Sequence, residues 1–169
     1  MSRDDSGEEP MKRTPAAALA AMLFLPVLSA QSLPDFSGTW TLDPARSQSA
    51  QQGEPFKSVT FVIAQSVGQV RIEATRGNEK ESVLYPLTKS RASLGASGQS
   101  EAYWDGEQLV TVTQRTVSGQ TVTVKEARTL GPGGTDMTVE TTVIVQHGYS
   151  MPGARNYGTS KDVFTRSKP

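Results

Sequence analysis

Cysteine is absent from the 169 residues, and histidine occurs once. Without cysteine there is no disulfide framework, no thiolate zinc site and no cysteine nucleophile. A lone His147 cannot build the histidine-rich shells of most catalytic zinc or iron sites, so no metal or other cofactor is expected. An excess of charge of one sign is also missing, since 17 basic side chains balance 17 acidic ones. A protein that grips nucleic acid through a basic surface carries a positive excess; nucleic acid is therefore not an expected partner. Signals for catalysis are equally scarce. No nucleophile-elbow sequence accompanies His147 as a base, and Gly131-Pro132-Gly133-Gly134 lacks the Lys-Ser/Thr that would make it a phosphate loop. Carboxylates such as Glu73 and Glu126 have no spacing that marks acid–base work. The expectation is a globular protein that is not an enzyme.

What is present begins with an export signal. Met11-Lys12-Arg13 precedes an apolar run from Ala16 to Leu28, and Ser29-Ala30 then gives small residues before polar Gln31-Ser32. A basic flank, a short apolar stretch and a small-residue exit form the pattern of a secretory signal peptide, cleaved near Ala30. The run of 13 residues falls short of the roughly 20 that a membrane-spanning helix needs; a short anchor helix is the alternative. No cysteine follows it to take a lipid. Acidic residues Asp4, Asp5, Glu8 and Glu9 stand ahead of the signal, which points to Met11 as the true start. Residues 1–30 are thus read as signal peptide and 31–169 as one exported domain, periplasmic or extracellular, with no stable membrane anchor after cleavage.

Past the signal the chain reads as all-β. Alternating or β-branched runs are broken by turn residues every ten or so positions: Phe36–Leu42, Lys57–Gln65, Gln69–Thr75, Glu81–Leu87, Ser100–Trp104, Leu109–Val117, Thr121–Leu130, Met137–Gln146 and about Lys161–Arg166. Asp105-Gly106 is the strongest hairpin signal. Pro44–Pro55 reads as a loop with room for a helical turn. Eight or nine strands on short loops make an antiparallel up-and-down meander. Closing it as a barrel, last strand on first, buries one face and removes the edges; a two-sheet sandwich is the alternative. A barrel of this size is either filled by side chains or holds one small ligand.

Phe36-Ser37-Gly38-Thr39-Trp40-Thr41-Leu42 resembles the opening of the calycins, the superfamily of lipocalins, fatty-acid-binding proteins and avidins. The resemblance implies that Gly38 lets the first strand bend and that Trp40 plugs one end of a barrel. It also implies that a late basic residue, matched by Arg166 in Val163-Phe164-Thr165-Arg166, packs over the indole as a cation–π contact. Trp104-Asp105-Gly106 with Leu109-Val110 resembles the late hairpins of fatty-acid-binding proteins. The chain is further similar to small exported bacterial lipocalin-like proteins of unassigned activity. It departs from the pattern in four places. No helical lid is visible between the first two strands, and Met137 stands where the second lipocalin motif prefers Tyr. Only Ser167–Pro169 follow the last strand, leaving no room for a C-terminal helix. Phe164-Thr165-Arg166 does not match the Arg-x-Tyr carboxylate clamp, so fatty-acid binding does not carry over.

Alternation supplies the candidate ligand face, because side chains two apart share a side of the sheet. Val122, Val124, Glu126, Arg128 and Leu130 form a face that is apolar at both ends; Leu109, Thr111, Thr113, Arg115 and Val117 form its neighbour. Both faces read as inward. Arg115, Glu126 and Arg128 then make either a cluster, inside or at the mouth, that orients an anionic or polar head group, or a self-satisfied ion-pair network, or charges outside a frayed strand end. Tyr85 and Tyr103 are candidate aromatic walls or core residues. His147–Gly158, with His147 and Tyr149, reads as a portal over the open end, pH-sensitive through His147, or as an ordinary surface loop. Two functions from different classes follow. One is a carrier of a small hydrophobic or amphipathic ligand; the other is a structural or protein-interaction barrel with a filled interior. Cavity volume separates them.

Overall fold

The computed structural model describes residues 33–53, 56–87, 100–146 and 156–167. The signal segment 1–30, His147 and Tyr149 lie outside the described residues. All described elements belong to one compact unit, Ser32–Pro169. Its described residues form nine strands: β1 (Gly38–Leu42), β2 (Val59–Gln65), β3 (Gln69–Arg76), β4 (Glu79–Pro86), β5 (Ser100–Asp105), β6 (Gln108–Val117), β7 (Gln120–Leu130), β8 (Asp136–Gln146) and β9 (Tyr157–Arg166). Every ladder between neighbours is antiparallel, in the order β4-β3-β2-β1-β9-β8-β7-β6-β5. The meander is therefore a nearly closed barrel, with the last strand against the first. β9 begins at Tyr157 rather than Lys161, because β8 is long enough to keep pairing out to Ile144↔Tyr157.

Strand number decides how the barrel closes. With nine antiparallel strands in a row, β4 and β5 run in the same direction, so the closing seam has to be parallel. A single parallel bridge, Leu87↔Ala102, marks it, helped by the Ser100 hydroxyl donating to the Leu84 carbonyl at 3.1 Å.

The tight turns follow their residues. At Ser118-Gly119 both positions have positive φ, 51° and 77°, the backbone of a type I′ hairpin whose twist matches that of the flanking strands. In the β5–β6 hairpin the loop is Gly106-Glu107, with Asp105 paired to Gln108; Gly106 takes the left-handed conformation that a side chain resists. Pro44–Pro55 contains two 3-10 turns, Pro44–Arg46 and Ser49–Gln52. Ser47 stands in for a strand residue there: its hydroxyl donates to the Val163 carbonyl at 3.2 Å and accepts from the Val163 N–H at 2.9 Å.

Burial alternates as the pleat requires. Val59, Phe61 and Ile63 on β2, and Val70, Ile72 and Ala74 on β3, point inward and are buried, whereas Val62 is exposed. Phe36, Trp40, Leu109, Met137 and Val70 fill one end, each fully buried and each contributing about 1.5–3 kcal/mol by leaving water. The lead-in to β1 is stitched across that end. Gln65 accepts from the Phe36 N–H at 3.1 Å and donates to the Pro34 carbonyl at 3.0 Å, and Phe36 packs on Trp104 with ring centroids 6.0 Å apart.

Candidate functional site

The opposite end of the barrel is hollow. A cavity of about 490 Å³ lies between Phe61, Ile72, Val83, Tyr85, Val124, Val139, Val143 and Phe164, and Thr113, Thr141, Thr159 and Ser160 also line it. It opens where β3 meets β4, β6 meets β7 and β8 meets β9, so Arg76, Glu81 and Arg115 stand along its rim. Ser49, Gln52 and Phe56 of the β1–β2 connection reach over it. That connection is tied to the barrel wall by Asp162, whose carboxylate accepts the Ser49 N–H at 2.8 Å.

β7 carries a pair of opposite charges on its inward face. Glu126 and Arg128 are two apart on its inward face and form an ion pair; Arg128 has no exposed surface, while the Glu126 side chain keeps 15% of its own. Thr111, on the neighbouring β6, joins them: Arg128 Nη1 donates to its hydroxyl at 2.7 Å, and that hydroxyl donates to Glu126 at 3.5 Å. The Arg128 guanidinium also lies over the Phe61 ring, 5.6 Å from the centroid. Burial pushes the Glu126 carboxyl up, but the charge and hydrogen bond of Arg128, with help from Arg76 and Thr111, outweigh it and hold the group below its ordinary value. Glu126 is thus an ionised acceptor at the cavity wall, and Arg128 is spent on it.

Arg115 is separate from that pair. β5 begins at Ser100, opposite Thr113, so Arg115 lies beyond the end of its neighbouring strand. It is half exposed at the rim, 3.8 Å from Glu81. Tyr85 is in the cavity wall, its hydroxyl 3.2 Å from that of Thr113, and burial is the first cause that raises its pKa. Tyr103 is not in this wall. The inward residues of β5 are Ala102 and Trp104, and Tyr103 joins Val110, Val112 and Ala127 in a cluster on the other face of the sheet. Glu73 likewise points away from Glu126, paired with Lys80 at 2.9 Å. Among the described residues no group of three or more His, Cys, Asp or Glu could hold a metal ion.

Arg76, Phe61 and Asp162 are the site residues that the sequence reading passes over. Alternation would have found Arg76: it follows Val70, Ile72 and Ala74 on the inward face of β3. Its guanidinium lies 6.0 Å from the centroid of the Phe61 ring.

At the filled end, the Arg166 guanidinium covers the Trp40 indole, and Trp40 Nε1 donates to the Phe36 carbonyl at 2.9 Å. Gly38 has φ of 133°, where a side chain would be strained.

No family model matches this chain, and no curated protein matches its sequence significantly.

Proposed function

We propose that this chain is an exported, lipocalin-like barrel that carries one small hydrophobic or amphipathic molecule in its cavity without chemically altering it. The hollow half of the barrel carries this reading. Its roughly 490 Å³ falls within the range of about 300–1,000 Å³ typical of small-molecule sites, and its wall combines apolar and polar side chains in about equal number. A barrel serving only as a scaffold gains stability by filling that space, as this one does around Trp40.

The non-catalytic part of the proposal draws on Glu126, the ion-paired carboxylate in the wall. A general acid or base works best with a pKa near the operating pH, whereas Arg128 holds the Glu126 carboxyl below its ordinary value. The lipocalin-like part draws on Gly38, Trp40 and Arg166, and export on Met11–Ala30.

Native mass spectrometry of protein purified from its own source tests the reading, together with titration of the neutral dye N-phenyl-1-naphthylamine. A co-purifying small molecule, or one saturable dye site lost on Val124→Trp with the fold retained, supports it. A mature protein that binds no dye and retains no molecule overturns it. N-terminal sequencing of the mature chain checks cleavage near Ala30.

A further inference from the structure

We propose that Arg76 is the anchoring cation of the cavity, and that its ligand is an amphipathic anion bound head-outward, acidic group at the rim and apolar part inside. The inference rests on the carrier reading above and adds the class and orientation of the ligand.

A census of the charges facing the cavity leaves one cation unmatched among the described residues. Glu126 is held by Arg128 and Thr111. Glu81 and Arg115 face each other at 3.8 Å. Asp162 takes the Ser49 N–H on one oxygen and the Ser160 hydroxyl, at 3.5 Å, on the other. Arg76 alone has neither an ion pair nor a side-chain hydrogen bond with any described residue, although Glu79 is its direct partner in the β3–β4 ladder. A cation so placed, partly withdrawn from water and without an ion-pair partner among the described residues, favours an incoming anion.

Arg76 is also positioned before any ligand arrives. Its guanidinium rests near the Phe61 ring, which has Arg128 beside it as well. Two cations on one ring repel each other, and an oxyanion at Arg76 relieves that repulsion. The planar fork of a guanidinium suits carboxylate, sulfonate or phosphate oxygens in a paired hydrogen bond. The field of Arg76 reaches Glu126, so its charge acts on the interior as well as on bulk water.

Orientation follows from the same census. An anion pushed deep would meet the Glu126 carboxylate. Placed at the rim, it meets Arg76, with Arg115 and its partner Glu81 alongside, while its apolar part lies along Ile72, Val83 and Val139.

Two dyes with one ring system test this on the full chain: anilinonaphthalene sulfonate, an anion, and N-phenyl-1-naphthylamine, its counterpart without the sulfonate. Arg76→Gln should raise the Kd of the sulfonate about tenfold, the usual weight of a lost charge-assisted hydrogen bond. The neutral dye should change less than about twofold. Arg76→Lys should recover most of the sulfonate affinity. Raising salt on the unaltered protein should weaken the sulfonate and spare the neutral dye; this arm needs no variant to fold. Sulfonate binding that ignores both salt and Arg76→Gln overturns the anion anchor and leaves the carrier reading standing. Failure of the unaltered protein to bind either dye, with no co-purifying molecule retained, overturns both.

Discussion

Arg166 holds its guanidinium 4.5 Å from the centroid of the Trp40 ring, and the two residues are direct partners across the β1–β9 ladder. One contact thus joins the first and last strands, caps the filled end of the barrel and places a cation on the plug. Arg166 Nη2 donates to the Asp35 carbonyl at 2.9 Å, while its buried Nε has no hydrogen-bond partner. The indole face compensates that part of the cation, a contact worth about 0.5–2 kcal/mol.

Arg166→Met keeps the bulk of the side chain and removes its charge, so it should cost about 1–2 kcal/mol in urea unfolding. Trp40→Ala should cost about 3–5 kcal/mol through the cavity it leaves. In a double-mutant cycle the two should couple; additive losses would show that the ring and the cation stabilise the fold independently.

Glu126 and Arg128 should behave as a pair. Arg128→Met alone leaves a buried carboxylate uncompensated and should cost about 3–5 kcal/mol. Replacing both, as Glu126→Leu with Arg128→Met, should cost less than either single change, because no buried charge remains. A double variant less stable than both singles would contradict this account.

Acid should destabilise the unaltered protein. Glu126 is held low in the folded state, mainly by Arg128 against the upward push of burial, and Asp35 is held low by hydrogen bonds from Ser37. A lowered folded pKa means that the folded state binds fewer protons. The stability it contributes is complete above the ordinary glutamate value of 4.5 and is lost as pH falls through the folded value. In Arg128→Met the sign at Glu126 reverses, since burial then raises its pKa and falling pH favours the folded state. Urea midpoints at neutral pH and near pH 4 should fall for the parent and shift the other way, relative to it, for the variant.

Asp162 should hold the β1–β2 connection over the cavity. Asp162→Ala strips the Ser49 N–H of its acceptor, a loss of about 1 kcal/mol, and should speed limited proteolysis between Ser47 and Gly53. Asp162→Asn keeps an oxygen acceptor and should resist as the parent does. Equal cleavage of all three would remove Asp162 from that role.

Much of the barrel was legible because its signals are local. Period-two alternation places Val124, Glu126 and Arg128 on one face, and turn chemistry at Gly77, Gly106 and Ser118-Gly119 separates the hairpins. Arg128 was legible as an inward residue but not as an occupied one: its partners Thr111 and Phe61 come from β6 and β2, one of them far away in sequence. Tyr103 was ambiguous because β5 carries an aromatic residue on each face, Tyr103 on one and Trp104 on the other, and a six-residue strand contains too few positions to reveal its inner side.

The sequence by itself determined the all-β class, the order of hairpins and the inward register of the long strands, since each depends on neighbours a few residues apart. Tertiary structure alone decided that the interior is filled around Trp40 and hollow around Phe61, that an odd strand count leaves a parallel seam, and that Arg76 faces the cavity with no ion pair to any described residue. These depend on how distant strands share one enclosed volume, and on which charges meet inside it.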